Sequence, residues 1–180
     1  IENNLINLTF DIEESQKFYV EKINIFGNNV TREDVIRNNL IVDEGDPFNE
    51  LLQTKSVNNL KSLNFFSKVD TEIINSENLN KKIINITVEE KPTGEIMAGA
   101  GVGTTGGTLA FGVSENNFLG RGIEFSSDLS VSSETLKGLI SINNPNYKGS
   151  NRSLNTSIES TITDRLKDFG YKSNKTGFSL

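Results

Sequence analysis

Apolar and polar residues alternate regularly in the second half of the chain. In residues 122–132, for example, Phe125, Leu129 and Val131 share one parity, and the residues of the other parity are mostly Ser and acidic residues. Successive side chains of a strand point to opposite faces, so this period of two predicts a strand with one apolar and one polar face. Four similar runs lie between residues 94 and 162. The pattern predicts a meander of antiparallel strands.

The predicted strands are unusually long. Residues 94–103 and 122–132 form runs of ten and eleven residues. An ordinary strand has about 5–6 residues, whereas a tilted strand that crosses a membrane needs about 9–11. Strand length therefore favours a membrane β-barrel, although alternation alone fits a soluble β-sandwich equally well. The polar stretch from Asp164 to Lys175 is predicted to be an exposed loop.

The first half of the chain combines strand and helix signals. Thr31–Asp34 resembles a capping box, which predicts that Thr31 starts a short helix. Asn49 is the predicted N-cap of a second, longer helix. The predicted order is strand, helix, helix, strand, strand, with the strands at residues 18–26, 67–74 and 83–90.

The sequence carries no recognisable catalytic site. It contains no Cys and no His, which excludes the usual zinc and iron–sulfur sites and the Cys–His or Ser–His nucleophile pairs. Gly101, Gly103 and Gly106 fit G-x-G-x-x-G, but a strand is predicted to follow instead of the helix that a dinucleotide site requires. A net charge of −6 argues against nucleic acid. We therefore expect no enzyme, no cofactor, no metal and no nucleic-acid partner.

Three segments of the first half resemble the POTRA domain, a periplasmic module of the Omp85 superfamily. Val20–Asn28 resembles its opening strand, which ends in Gly-Asn. Leu60–Val69 resembles the end of its second helix, and Ile84–Glu90 resembles its closing strand. A further segment, Leu8–Glu14, is similar to Ile84–Glu90 and indicates a repeat.

The segments after Pro92 resemble the start of an Omp85 barrel. A Gly-rich strand contains Gly99–Thr104, a turn with the sequence Asn-Phe-Leu-Gly lies within Asn116–Gly122, and an Asn-Pro turn follows at Asn144–Tyr147. The resemblance to the family depends on the order and spacing of these motifs.

The resemblance implies a fold class and domain boundaries. We expect an α+β POTRA domain with the order β-α-α-β-β, followed by the first antiparallel strands of a transmembrane β-barrel. Residues 1–16 would be the tail of a preceding POTRA domain, residues 17–91 the POTRA domain, and residues 92–180 the N-terminal barrel strands.

The same resemblance implies a function in the bacterial outer membrane, with the POTRA part in the periplasm. The expected activity is the assembly and insertion of β-barrel proteins, whose strands would be captured by β-augmentation. The implied partners are unfolded outer-membrane proteins, accessory assembly lipoproteins, outer-membrane lipid and periplasmic chaperones. Two alternatives stay open: an Omp85-type exporter of a dedicated substrate, and a soluble β-rich binding module.

Two groups of residues are candidate binding sites. The first barrel strand is the candidate gate, because its glycines offer few cross-strand contacts and specify register weakly. The alternative is that these glycines only permit close packing against a neighbour. The POTRA strand at 67–74 is a second candidate edge, and Glu44 and Gly45 are candidate contacts for a lipoprotein. The gate residues are Ile96, Ala98, Gly99, Gly101, Val102 and Gly103.

Overall fold

A computed structural model describes Asp11 and residues 16–103, 106–150 and 152–180. The predicted POTRA tail at residues 1–16 and the repeat at Leu8–Glu14 therefore lie almost entirely outside the described residues. The elements run in the order β1 (Tyr19–Phe26), α1 (Glu33–Arg37), α2 (Glu50–Ser62), β2 (Phe66–Asn75), β3 (Lys81–Glu90), β4 (Gly94–Gly103), β5 (Gly106–Glu115), β6 (Glu124–Ser132), β7 (Thr135–Asn144), β8 (Leu154–Arg165), α3 (Leu166–Phe169) and β9 (Tyr171–Ser179).

The first five elements form a small α+β domain in the predicted order. β3 is the central strand of its sheet and pairs in parallel with β1 and antiparallel with β2. The helices cover one face of this sheet, because β3 contributes alternate buried residues that need an apolar partner. The buried core consists of Val20, Ile23, Ile36, Val42, Leu60, Phe65, Phe66, Val69, Ile84, Ile86 and Val88.

Asn49 caps α2 as the sequence predicts. Its side chain accepts hydrogen bonds from the backbone N–H groups of Leu51 and Leu52, at 2.9 and 3.1 Å. These bonds satisfy donors that an uncapped helix leaves unpaired.

The predicted capping box at Thr31 is wrong. α1 begins at Glu33, its N-cap residue is Arg32, and no side chain caps it. Thr31 lies one residue before the N-cap, and its hydroxyl instead accepts a hydrogen bond from the Asn117 side chain, while its backbone N–H donates to Glu90. A tertiary contact therefore overrides the local signal.

β4 to β9 form one antiparallel meander in which each strand pairs with its neighbours in the chain. Leu109, Phe111 and Ile140 on the apolar face are about half exposed, at 51%, 53% and 49%. Within the described residues no second sheet packs on that face, so the sandwich alternative lacks the packing it requires.

The predicted loop at Asp164–Lys175 is also wrong. β8 continues to Arg165, a single helical turn follows, and β9 begins at Tyr171. The alternation of apolar and polar residues does not predict β9, because the polar residues Asn174 and Thr176 occupy positions on its apolar face, opposite Ile162 and Ser160. Backbone pairing with β8, rather than apolar burial, holds this strand.

No helix in the described part of the chain is long and apolar enough to cross a membrane.

Candidate functional site

β4 forms one edge of the six-stranded sheet. It pairs with β5 over its whole length, from Gly94 opposite Glu115 to Gly103 opposite Gly106. Among the described residues no strand pairs with its other side. Such an edge presents a row of backbone N–H and C=O groups that another strand can bind. The predicted gate residues all lie on this edge strand.

The apolar gate residues lie on one face of β4. Ile96 and Val102 are among the most exposed apolar side chains, at 86% and 93%, and Ile96 lies opposite Val113. Ala98 lies opposite Phe111, which lies opposite Leu129 on β6. The face of the strand that continues the apolar side of the sheet is therefore open.

The three gate glycines lie on the opposite face of β4. Gly99, Gly101 and Gly103 lie opposite Ala110, Thr108 and Gly106, so few side-chain pairs stabilise this side of the seam. A Cβ atom added to any of the three would meet no atom within 4 Å. Within the described residues, close packing therefore does not account for these glycines.

Asp128, Lys137 and Glu159 lie on the polar face of the sheet. The charged residues of the apolar side, Glu115, Asp164 and Lys172, lie at or next to strand ends. Lys137 on β7 forms a 3.2 Å ion pair with Glu159 on β8. Asp128 on β6 lies near Gly112, where an added Cβ would meet its Oδ1 atom at 2.8 Å. A sheet whose middle carries charge on one face and apolar side chains on the other suits a position between lipid and a polar interior.

β2 is a second open edge, in the small domain. Among the described residues its backbone pairs with β3 alone. Ile73 and Ile74 are 38% and 39% exposed, and Lys68 and Asp70 form a 2.5 Å ion pair in solvent. The predicted edge at residues 67–74 therefore lies on the outside of the sheet.

The candidate partner loop does not lie near either open edge. Glu44 and Gly45 are exposed residues beside β1, at the other side of the small sheet. Gly45 donates a 2.8 Å backbone hydrogen bond to the Val20 carbonyl and has a φ of +94°. The structure thus separates this loop from the gate residues, and the partner role of Glu44 and Gly45 stays a prediction.

A junction between the two sheets was not predicted as a site. The turn between β5 and β6 contacts the segment that precedes α1. The buried Asn117 Nδ2 donates to Thr31 Oγ1 at 2.8 Å, and its Oδ1 accepts from Gly122 N at 2.8 Å. Arg32 N donates to the Gly120 carbonyl at 2.8 Å. This contact fixes the small domain against the turn between β5 and β6 of the six-stranded sheet.

Gly120 allows this close approach. Its φ is +69°, and an added Cβ would lie 2.0 Å from the Val30 carbonyl oxygen. The only sequence signal for the junction is the Asn-Phe-Leu-Gly turn, which carries no information about the surface that it contacts.

Two carboxylates, one from each sheet, accept hydrogen bonds from residues at the junction. Glu90 accepts hydrogen bonds from the backbone N–H groups of Asn29, Val30 and Thr31. Burial acts to raise the pKa of Glu90, but the hydrogen bonds from Thr31, Val30 and Asn29 outweigh it and lower that pKa. Glu115 accepts from the Thr93 hydroxyl and from Asn117 N.

The next turn on the same side of the sheet has the same conformation but lacks this contact. Lys148 and Gly149 have φ values of +55° and +67°, close to the +56° and +69° of Leu119 and Gly120. A Cβ added to Gly149 would meet nothing within 4 Å. The second turn therefore provides a matched control for the first.

Comparison with known proteins finds similarity in both halves of the chain. Residues 18–91 match the family model of the POTRA domain, described as a surface antigen variable number repeat. The outer membrane protein assembly factor BamA of Neisseria meningitidis serogroup B is 29% identical over 168 residues, which are 92% of this chain and 21% of that protein. The chain thus spans about a fifth of the length of this relative.

Two solved structures share the fold. The crystal structure of BamA from Haemophilus ducreyi lacking POTRA domains 1–3 superposes with a TM-score of 0.82, at 24% identity, over 92% of this chain and 32% of that chain. CdiB from Acinetobacter baumannii gives a TM-score of 0.54, at 17% identity, over 90% of this chain and 32% of that chain.

These matches confirm the fold class. The first half is a POTRA domain, and β4 to β9 resemble strands of the BamA barrel. The chain contains a POTRA domain, and over 92% of its length it is similar to the assembly factor BamA of Neisseria meningitidis.

Proposed function

We propose that the chain takes part in the assembly and insertion of β-barrel proteins in the bacterial outer membrane. The observation that carries this proposal is the glycine face of β4, where Gly99, Gly101 and Gly103 lie opposite Ala110, Thr108 and Gly106 of β5 and leave open space around them. An incoming strand in lipid must pair its backbone groups, because each unsatisfied group costs several kcal/mol, on the order of 2–7. The edge of β4 supplies matching donors and acceptors, so β-augmentation offers the substrate a low-energy path.

The glycine face of β4 suits a gate that opens and accepts many sequences. Gly99, Gly101 and Gly103 form no large side-chain pairs with β5, so little packing is lost when β4 bends away or exchanges partners. A strand with few side-chain contacts also tolerates varied substrates, because its register is weakly specified. This mechanism involves no covalent step, and we accordingly propose that the protein is not an enzyme.

The POTRA domain is the proposed receiving platform. In this proposal it lies in the periplasm, where β2 captures unfolded outer-membrane proteins delivered by periplasmic chaperones. Glu44 and Gly45 are proposed contacts for accessory assembly lipoproteins. Outer-membrane lipid would contact the apolar face that Leu109, Phe111 and Ile140 leave exposed.

Site-specific photocross-linking in the full-length protein tests the gate. A photoreactive residue at Ile96 on β4 is compared with one at Ile140, which lies on the apolar face of β7 between two paired neighbours. We expect cross-links to newly made β-barrel proteins from position 96 and only background from position 140. Equal cross-linking yields at both positions would contradict the proposal that β4 is the strand that binds the substrate. Cross-links to one secreted protein, rather than to barrel proteins, would favour the exporter.

A further inference from the structure

β1 is the other outer strand of the POTRA sheet, but its free side is covered. Residues 43–48 run beside it and pair with its backbone. Val20 N donates to the Asp46 carbonyl at 2.9 Å, and Gly45 N donates to the Val20 carbonyl at 2.8 Å. Phe48 N donates to the Phe18 carbonyl at 2.8 Å. This loop therefore occupies the first half of the edge in the way a neighbouring strand would.

Two side chains extend this cover along β1. Glu44 Oε1 accepts a hydrogen bond from Ile23 N at 3.0 Å, and Arg37 Nη2 donates to the Ile23 carbonyl at 3.0 Å. One carboxylate and one guanidinium thus pair both backbone groups of a single edge residue. An incoming strand would need the same two groups.

The two side chains are held in place by each other and by α1. Arg37 Nη1 lies 3.4 Å from Glu44 Oε1, and Arg37 Nε lies 2.7 Å from Glu33 Oε1. The pKa of the Arg37 guanidinium is raised, chiefly by its hydrogen bond to Glu33 and further by the negative charge of Glu44. The Arg37 and Glu44 side chains are 36% and 42% exposed. They therefore cover the edge of β1 on its solvent side and are not part of the core.

The opposite edge of the sheet has no such cover. In the described part of the chain, β2 pairs with β3 only, and its exposed residues form no bond that closes its outer side. Proteins commonly protect strand edges with charged side chains or covering loops. Here the protection is confined to one of two edges.

We propose that Arg37 and Glu44 are edge-blocking residues that prevent strand addition at β1 and so direct strand capture by the POTRA sheet to β2. This inference rests on the proposed function, because it names the residues that select the capturing edge. Removal of both side chains should free the backbone groups of Ile23 and so create a second capture site on the part of the β1 edge that residues 43–48 do not cover.

Disulfide trapping in the complete chain tests the proposal, since the protein contains no Cys of its own. Lys22→Cys on β1 and Thr71→Cys on β2, both exposed positions, are made separately in the parent chain and in an R37A/E44A background. The probe is a synthetic peptide with the sequence of β6 and one Cys. A peptide with two internal Pro residues is the control, because Pro cannot donate a ladder hydrogen bond.

In the parent chain we expect cross-linking at Thr71→Cys and background at Lys22→Cys. In R37A/E44A we expect the yield at Lys22→Cys to rise about tenfold, the ratio that corresponds to about 1.4 kcal/mol, and the yield at Thr71→Cys to stay unchanged. E44Q keeps an acceptor for Ile23 N and should behave like the parent. Circular dichroism establishes folding, and E44A alone replaces the double variant if that variant unfolds.

The edge-blocking role and strand capture at β2 can be contradicted separately. No rise at Lys22→Cys in the folded variant, or an equal rise with the Pro peptide, overturns the edge-blocking role. A rise at Lys22→Cys without any cross-linking at Thr71→Cys supports the blocking role and overturns capture at β2.

Discussion

The Asn117 side chain donates a 2.8 Å hydrogen bond to the Thr31 hydroxyl in a buried site, across 86 residues of sequence. Thr31 belongs to the POTRA domain and Asn117 to the turn between β5 and β6. Both residues are nearly inaccessible, at 2% and 5% exposure. Together with the hydrogen bond from Arg32 N to the Gly120 carbonyl, the bond holds the two units at a junction separate from the chain connection at residues 91–93.

Removal of the Thr31 hydroxyl should weaken this junction. Thr31→Val leaves Asn117 Nδ2 buried without its acceptor, which costs about 1–3 kcal/mol. We expect a lower melting temperature and faster amide hydrogen exchange in residues 116–122. Thr31→Ser keeps the hydroxyl and should stay close to the parent. Equal exchange in the two variants would show that the hydrogen bond contributes little.

Gly120→Ala and Gly149→Ala separate backbone strain from the junction contact. Both glycines have left-handed φ values, +69° and +67°, so Ala adds a similar strain of about 1–2 kcal/mol at each. Only at Gly120 does the new Cβ collide with the Val30 carbonyl. We expect Gly120→Ala to cost about 1–3 kcal/mol more than Gly149→Ala in thermal unfolding, because overpacking is added to strain. Indistinguishable melting curves would rule out a tight contact at Gly120.

Local signals in the sequence locate the strands well and the junction poorly. The period of two places β4 at residues 94–103, as observed, and Asn49 is recognised as a cap because its partners lie two and three residues away. Thr31 is not a cap, and the partner of its hydroxyl, Asn117, lies on another element. Alternation also misses β9, where Asn174 and Thr176 replace the expected apolar residues.

The candidate site, like the fold, could be predicted from the sequence only in part. The sequence predicts the glycines of β4, but a glycine has no side chain whose contacts reveal its purpose. The structure places Gly99, Gly101 and Gly103 on an open edge. Their role as a gate stays a prediction. Edge exposure depends on sheet order, and the order β1-β3-β2 follows from a crossover that periodicity does not encode.

Glu90 should make the junction sensitive to acid. Its pKa is lowered below the ordinary 4.5 in the folded chain, so its contribution to stability is present above that value and is lost as the pH falls through the folded pKa. Glu90→Gln removes the charge that accepts three backbone N–H bonds. We expect the variant to melt below the parent at pH 7, and the difference to shrink as the pH falls below about 4.5. A difference that does not depend on pH would exclude a role for the charge.

Stiffening β4 should slow barrel assembly if the strand is a gate. Gly101→Val introduces a β-branched residue into an open position, so the strand should fold without a clash and gain up to about 1 kcal/mol of pairing preference with β5. The matched control is Gly138→Val on β7, where an added Cβ also meets nothing within 4 Å and both neighbours are already paired. Assembly of a β-barrel substrate by the full-length protein in liposomes is the measurement. We expect Gly101→Val to slow assembly several-fold and Gly138→Val to leave it near the parent rate. Equal rates for both variants would show that flexibility of the β4 seam does not limit insertion.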